Sequence, residues 1–333
     1  MEHKTKVIIS FDAEFSINGA FADPQGKKPA SHHYFSPLPT ATLGLQDVLQ
    51  ILQQHQVAAT FFTEVLNSYY FGMAEMGQYA KTIAAQGHDI QLHAHPCWLV
   101  FQHSDWPAMV KGQSVPDTFK GMTAQEVGAI LQYCVDVCAA WGLIKPTSFR
   151  AGNLFAVPVL YQALTALGFA TASNVGVAIH APDAAELRIE NTTARFHDVI
   201  ELPVTTFQSM GMRHKSLTIT GTSFLETKNV LEQCVQHGIE YVVVLTHIHE
   251  YIKYAANGVD VRANRVNLTR LEQLCAWVNQ HPQLGFTTFA ALGKDPAFRH
   301  VTHQPASKII QSAWWAGAVT ILENVLNDKI WNY

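Results

Sequence analysis

The sequence predicts an α/β protein whose parallel strands curl into a barrel, closed or nearly so, followed by a helical extension. Three observations carry this. Apolar runs such as Val7-Ile8-Ile9-Ser10-Phe11 and Tyr241-Val242-Val243-Val244-Leu245 are near-continuous and β-branched, as in strands covered on both faces. Stretches of helical period separate such runs, so strand and helix alternate through seven or eight strands. At 333 residues, one barrel-sized domain is the best single architecture.

Taken in order, the first strand covers 7–12 and ends in Asp12-Ala13-Glu14, two carboxylates at i and i+2. A loop over 16–40, broken by Pro24, Pro29, Pro37 and Pro39, leads to a helix over 42–55. Residues 57–64 form the second strand, and a helix over 73–86 stops at Gly87, a natural C-cap. The third strand, 89–93, runs into His95 and is stopped by Pro96. Side chains two apart on a strand share a face, so His93 and His95 project together from its carboxyl end. An irregular stretch over 96–121 follows, then a helix opened by the capping box Thr123-Ala124-Gln125-Glu126. Strands near 147–150, 169–173 and 199–204 alternate with helices near 157–167 and 223–237. The strand 241–246 leads into His247-Ile248-His249-Glu250, and a helix near 266–280 precedes a last strand, 285–289. The tail from 305 reads as one more helix with a wide apolar face. We therefore expect a barrel over 1–293 and an amphipathic helical extension over 294–333, which could pair two copies of the chain.

Composition narrows the function. A net charge of −4 with no basic cluster argues against nucleic acid as a partner. The five cysteines are odd in number with no CxxC spacing, which fits reduced thiols better than a disulfide framework. The chain passes from Met1 almost directly into its first strand, with no secretory pattern, so a cytoplasmic location is the expectation. No apolar run approaches the roughly 20 residues of a membrane span.

Four strand ends carry polar residues that the fold does not need: Asp12 with Glu14, His93 with His95, Arg150 with Asn153, and His247 with His249. In parallel α/β folds ligands bind beyond those carboxyl ends, and the three longest loops follow the same ends. Each pair alone also fits an exposed turn or a satisfied core edge. A carboxylate and two imidazoles form a three-ligand site for Zn2+ or a similar divalent ion, with a water in the open position. A second carboxylate then serves as general base, and a histidine opposite can protonate the leaving group.

The order Asp-x-Glu, G-H-D-I-x-x-H-x-H, F-R-A-G-N, E-L-P-V near Glu201 and a strand ending in His247 resembles the polysaccharide deacetylase family, the NodB-homology domains of carbohydrate esterase type 4. The resemblance runs from about residue 6 to 293 and implies a distorted (β/α)7-type barrel that removes an N-acyl group, acetyl or formyl, from an amino sugar. It makes Asp12 the general base, Arg150 its partner, His247 the general acid, and Glu14 and His93 metal ligands. The family's second histidine usually falls four residues after the first, where this chain has Cys97. His95, in an HxHP form, is assigned as third ligand, with Cys97 the alternative. Glu14 stands where an aspartate is usual. Asn153, Trp98 and His249 are candidates for substrate binding, and Tyr34, Phe35, Trp106 and Tyr251 could also present flat faces to sugar rings. His32 and His33 lie in a loop that could reach the site. The expected partner is an amino-sugar-containing small molecule or glycan precursor. A barrel amidohydrolase and a non-catalytic carbohydrate-binding relative are the competing readings; barrel amidohydrolases place His-x-His after the first strand, and here it follows the third.

Overall fold

The computed structural model describes residues 4–29, 44–211, 213–254, 261–299 and 309–329. Tyr34, Phe35, His32 and His33 fall outside them. Strand β1 (Thr5–Ala13) is followed by α1 (Leu45–Gln54), β2 (Thr60–Glu64), α2 (Ser68–Phe71), α3 (Met73–Ala84) and β3 (Asp89–Ala94). A 3-10 turn (Pro96–Gln102) and α4 (Trp106–Met109) precede α5 (Ala124–Ala140), β4 (Ser148–Ala151), α6 (Pro158–Ala166) and β5 (Thr171–Ala172). Then come β6 (Ala194–Phe196), β7 (Val199–Glu201), β8 (Thr206–Ser209), β9 (Arg213–Ser216), α7 (Phe224–Gln236) and β10 (Tyr241–His247). A short hairpin, β11 (Ile252–Tyr254) and β12 (Val261–Ala263), leads to α8 (Arg265–Gln280), β13 (Leu284–Phe286), α9 (Phe289–Lys294), α10 (Pro296–Arg299), β14 (Ile310–Gln311) and α11 (Trp314–Lys329).

Local chemistry sets the helix starts. Thr123 Oγ1 accepts from the Glu126 N–H and the Glu126 carboxylate accepts from the Thr123 N–H, so the capping box forms in both directions. Ser223 and Thr288 cap α7 and α9 by accepting from the N–H groups of Glu226 and Ala291, and Pro158 occupies the first turn of α6, where its missing N–H costs nothing. Helix α3 ends at Ala84, and Gly87, at φ +84°, turns the chain into β3.

The main sheet runs β10-β1-β2-β3-β4-β5-β7-β6, parallel except for the β6–β7 pair, with β13 beside the amino-terminal part of β1. It is a distorted (β/α)7-type barrel. Beyond β10 the curl is bridged by single backbone hydrogen bonds: Thr205 N–H to Val243 O, Leu245 N–H to Leu217 O and Ile219 N–H to Leu245 O. Strand alternation divides the core. Val7, Ile9, Phe11 and Ala13 pack outward in the large cluster with the helices, whereas Ile8 joins Phe62, Val243 and Leu245 in the smaller cluster inside the curl. Ser10 and Asp12 share the parity of Ile8, which carries them toward the interior.

Two readings of the tail are corrected. Ile310–Gln311 is a strand, pairing parallel with β8 in a separate three-stranded sheet, and the helix begins only at Trp314. A two-residue strand leaves too short a pattern to separate from helix, and its pairing with β8 is set by contacts a hundred residues away in sequence. Residues 300–308 lie outside the described ones. Among the described residues no helix is long and apolar enough to cross a membrane.

Candidate metal centre and active site

Strand register assembles the site. Asp12 lies opposite His247 across β1 and β10, and His93 lies opposite Arg150 across β3 and β4. The four strand ends therefore deliver Asp12, Glu14, His93, His95, Arg150 and His247 to one place. His93 in β3 and His95 just beyond it aim at one carboxylate oxygen: Glu14 Oε2 is 2.8 Å from His93 Nε2 and 2.6 Å from His95 Nε2. Each ring is held from behind at Nδ1, which lies 2.9 Å from the Arg150 carbonyl oxygen in His93 and 2.7 Å from Asp117 Oδ2 in His95. A carbonyl or carboxylate there accepts from Nδ1–H, so Nε2 is the nitrogen of each ring that can bind an ion beside Glu14. Glu14, His93 and His95 have ligand atoms within 4.8 Å of one another, a donor set that fits a divalent ion of the zinc type.

Cys97 is not in that set. Pro96 begins the 3-10 turn, and Cys97 groups instead with His95 and Asp117. Burial, then the charge of Asp117, pushes its thiol far above the usual range. The turn likewise takes Trp98 off the rim: it is 1% exposed, against Phe71 and Phe101. Burying about 200 Å2 of indole at ~25 cal/mol per Å2 favours the interior by roughly 5 kcal/mol, more than a rim position supplies. Tyr251 is also buried, donating no face to solvent, with its hydroxyl accepting from Thr246. Trp106 stays half-buried, edge-on to Phe101.

Arg150, fully buried, donates through Nη1 to Asp12 Oδ1 at 2.6 Å, through Nη2 to the hydroxyls of Ser10 and Ser173, and through Nε to the Ser173 carbonyl. Its guanidinium rests 4.3 Å from the Phe62 ring centroid. That leaves Asp12 Oδ2 facing His247 Nε2 at 3.8 Å. His247 Nδ1 lies 3.0 Å from Glu250 Oε1. Burial pulls the imidazolium down, but the hydrogen bond and charge of Glu250 outweigh it and lift His247 to about 9. Glu14 resists burial in the same way: the charges and hydrogen bonds of His95 and His93 hold it well below the usual carboxylate range.

A cavity of about 260 Å3 opens over the centre, lined by Glu14, His95, Cys97, Asp117, Asn153 and His249, with Trp98 in its wall. A larger one, about 650 Å3, lies at the amino ends of the strands around Asp89. It contains none of the strand-end residues, of which Glu14, His95, Asn153 and His249 border the smaller cavity instead, and Asp89 there is already engaged by Thr60, Gln91 and the Ala290 N–H.

Sequence reasoning missed four contributors. Asp117, besides holding His95, accepts from Asn153 Nδ2 at 2.7 Å, which ties Asn153 into the site. Glu250 was visible beside the histidines but had no role. Gly152 leaves room for His95: a β-carbon there would sit 2.4 Å from its Nδ1. Glu64, opposite His93 in β2, accepts from the backbone N–H groups of His95 and Leu66 at 2.5 and 2.6 Å. Burial lifts it to about 7 against the pull of both histidines.

Residues 37–172 match the family model described as polysaccharide deacetylase. Over that stretch the chain resembles the polysaccharide deacetylases. Among solved structures, the chain is similar to a Mycobacterium smegmatis protein assigned to the polysaccharide deacetylases, at 16% identity and TM-score 0.57, covering 93% of this chain and 96% of that one. It is also similar to a family 4 carbohydrate esterase from Streptomyces lividans (12% identity, TM-score 0.40, 85% and 92% covered). A family 4 pseudoenzyme from Bacillus anthracis aligns at 13% identity and TM-score 0.43, with 88% and 67% covered. The first likeness establishes the shared fold. A comparison with curated proteins found no match.

Proposed function

We propose that this chain is a metal-dependent hydrolase of the polysaccharide deacetylase kind that removes an N-acyl group, acetyl or formyl, from an amino sugar or sugar conjugate. The observation that carries this reading is the convergence of His93 Nε2 and His95 Nε2 on one oxygen of Glu14, each ring fixed from behind. Glu14, His93 and His95 hold the ion, which when bound supplies Lewis acidity toward the acyl carbonyl and the attacking water. Zn2+ suits two imidazoles and a carboxylate best.

Asp12 is the general base. Arg150 occupies one of its oxygens, so the proton of the water goes to Oδ2, the oxygen on the side of His247. His247, kept as imidazolium by Glu250, stands 3.8 Å from that oxygen and donates to the departing sugar nitrogen. Asn153 and His249 line the space that receives the sugar, with Trp98 buried in its wall.

The test is release of acetate or formate from a panel of N-acyl amino sugars by protein stripped with chelator and reloaded with Zn2+. Release that needs the metal supports the reading. A reloaded protein that binds zinc but cleaves nothing would favour a carbohydrate-binding relative, and one that binds no ion would remove the metal assignment.

A further inference from the structure

Helix α11 has its faces the wrong way round for a helix that only covers a barrel. The residues turned inward are Ala316, Gly317, Thr320 and Asn327, all small or polar. Thr320 accepts from the Ser223 N–H at 2.9 Å and donates to Glu226 at 2.7 Å, Asn327 accepts from Lys253 through its carbonyl, and a β-carbon at Gly317 would meet Ser209 Oγ at 2.6 Å. The helix is thus fastened to α7 and β8 by close approach and polar bonds.

The opposite side carries Trp314, Trp315, Ile321, Leu322, Val325 and Leu326, every one exposed, with Trp314 at 66% and Leu322 at 59%. At 3.6 residues per turn these six, with Ala318 among them, fill one arc of about 140°. Together they place on the order of 600–700 Å2 of apolar surface in water, taking about 150–250 Å2 for a whole aromatic side chain. That is at or beyond the ~300–600 Å2 of the largest patch on an ordinary monomer, and close to the ~800 Å2 each partner gives to a stable interface.

We infer that this face is the interface of a symmetric dimer, with α11 of one copy packed across α11 of a second. The one charge on the arc among the described residues is Lys329 in its last turn, so the strip before it is apolar throughout and complementary to itself about a two-fold axis. A lipid surface fits it poorly. Helices that lie on membranes line their polar side with Lys and Arg, whereas here the polar side faces the protein and the flanking Glu323 is already paired with Arg270. The inference is independent of the metal chemistry, because α11 contributes no residue to the cavity.

Sedimentation velocity of the full chain across micromolar concentrations, beside the double variant Leu322→Glu/Val325→Glu, tests it. Both positions are exposed, so the variant chain keeps its fold, which an unchanged circular dichroism spectrum checks. The expected result is a parent of twice the monomer mass and a variant of monomer mass. A parent that stays monomeric throughout overturns the dimer, as does a double variant that remains dimeric. Flotation with phosphatidylcholine vesicles separates the alternative: a monomeric parent that floats with them assigns the face to lipid instead.

Discussion

Asp117 Oδ2 lies 2.7 Å from Nδ1 of His95, twenty-two residues earlier in the chain, and the same oxygen accepts from Asn153. One carboxylate from an irregular stretch thereby orients a candidate metal ligand and latches the end of β4 to it. Removing such an outer carboxylate generally costs 10–100-fold in metal affinity. We expect Asp117→Ala to weaken zinc binding by about that factor, with Asp117→Asn in between because its amide oxygen still accepts. Competition with a chromophoric chelator measures it, and an unchanged affinity in both variants would sink the role.

The third-ligand question has a direct comparison. Cys97 is buried beside Asp117 and apart from Glu14, so Cys97→Ala should keep its zinc, while His93→Ala and His95→Ala lose it. Metal content of the purified variants decides. Zinc lost from Cys97→Ala and kept in His95→Ala would reverse the assignment.

Asp12→Asn keeps the ligand set and removes the base. Metal content should be normal and acyl release abolished, whereas full activity would contradict the base assignment. Arg150→Leu acts differently, because it leaves a buried carboxylate without its partner. Breaking such a pair typically costs ~3–5 kcal/mol, so this variant should melt well below the parent.

The pH profile follows from the pair His247–Glu250. Raised to about 9, His247 stays protonated at neutral pH, so activity should fall as pH rises through about 9. Glu250→Gln removes the chief raising partner and should bring that alkaline limb down toward the ordinary 6.5. For stability the sign is the same: a folded value above the unfolded one stabilises in full below about 6.5 and loses that contribution as pH climbs through about 9. An alkaline limb unmoved by Glu250→Gln would remove His247 as the acid.

Gly152→Ala puts a methyl group 2.4 Å from the His95 ring without altering any polar group. Zinc affinity should drop while His93 keeps its bond to the Arg150 carbonyl. A crystal structure of the variant with His95 undisplaced would show that the neighbouring backbone yields instead.

Much of the fold was legible because it rests on local periods. The β-branched runs of β1 and β10 and the capping box of α5 each carry their signal within a few residues. The β8–β9 hairpin and the pairing of β14 with β8 did not, since both are short and fixed by distant contacts. Trp98 shows the same limit: its position next to the histidines suggested a rim, but a 3-10 turn rotated it into the core.

The sequence by itself determined that paired polar side chains stand at the ends of β1 and β3, because alternation along an extended chain sends i and i+2 to one face. His95 keeps an extended backbone (φ −107°, ψ 105°) and so stays with His93, but only the tertiary structure decided that it, rather than Cys97, meets Glu14. That choice depends on where Pro96 turns the chain, on the space left by Gly152 and on the carboxylate of Asp117. These contacts join segments far apart in sequence, and no local pattern encodes them.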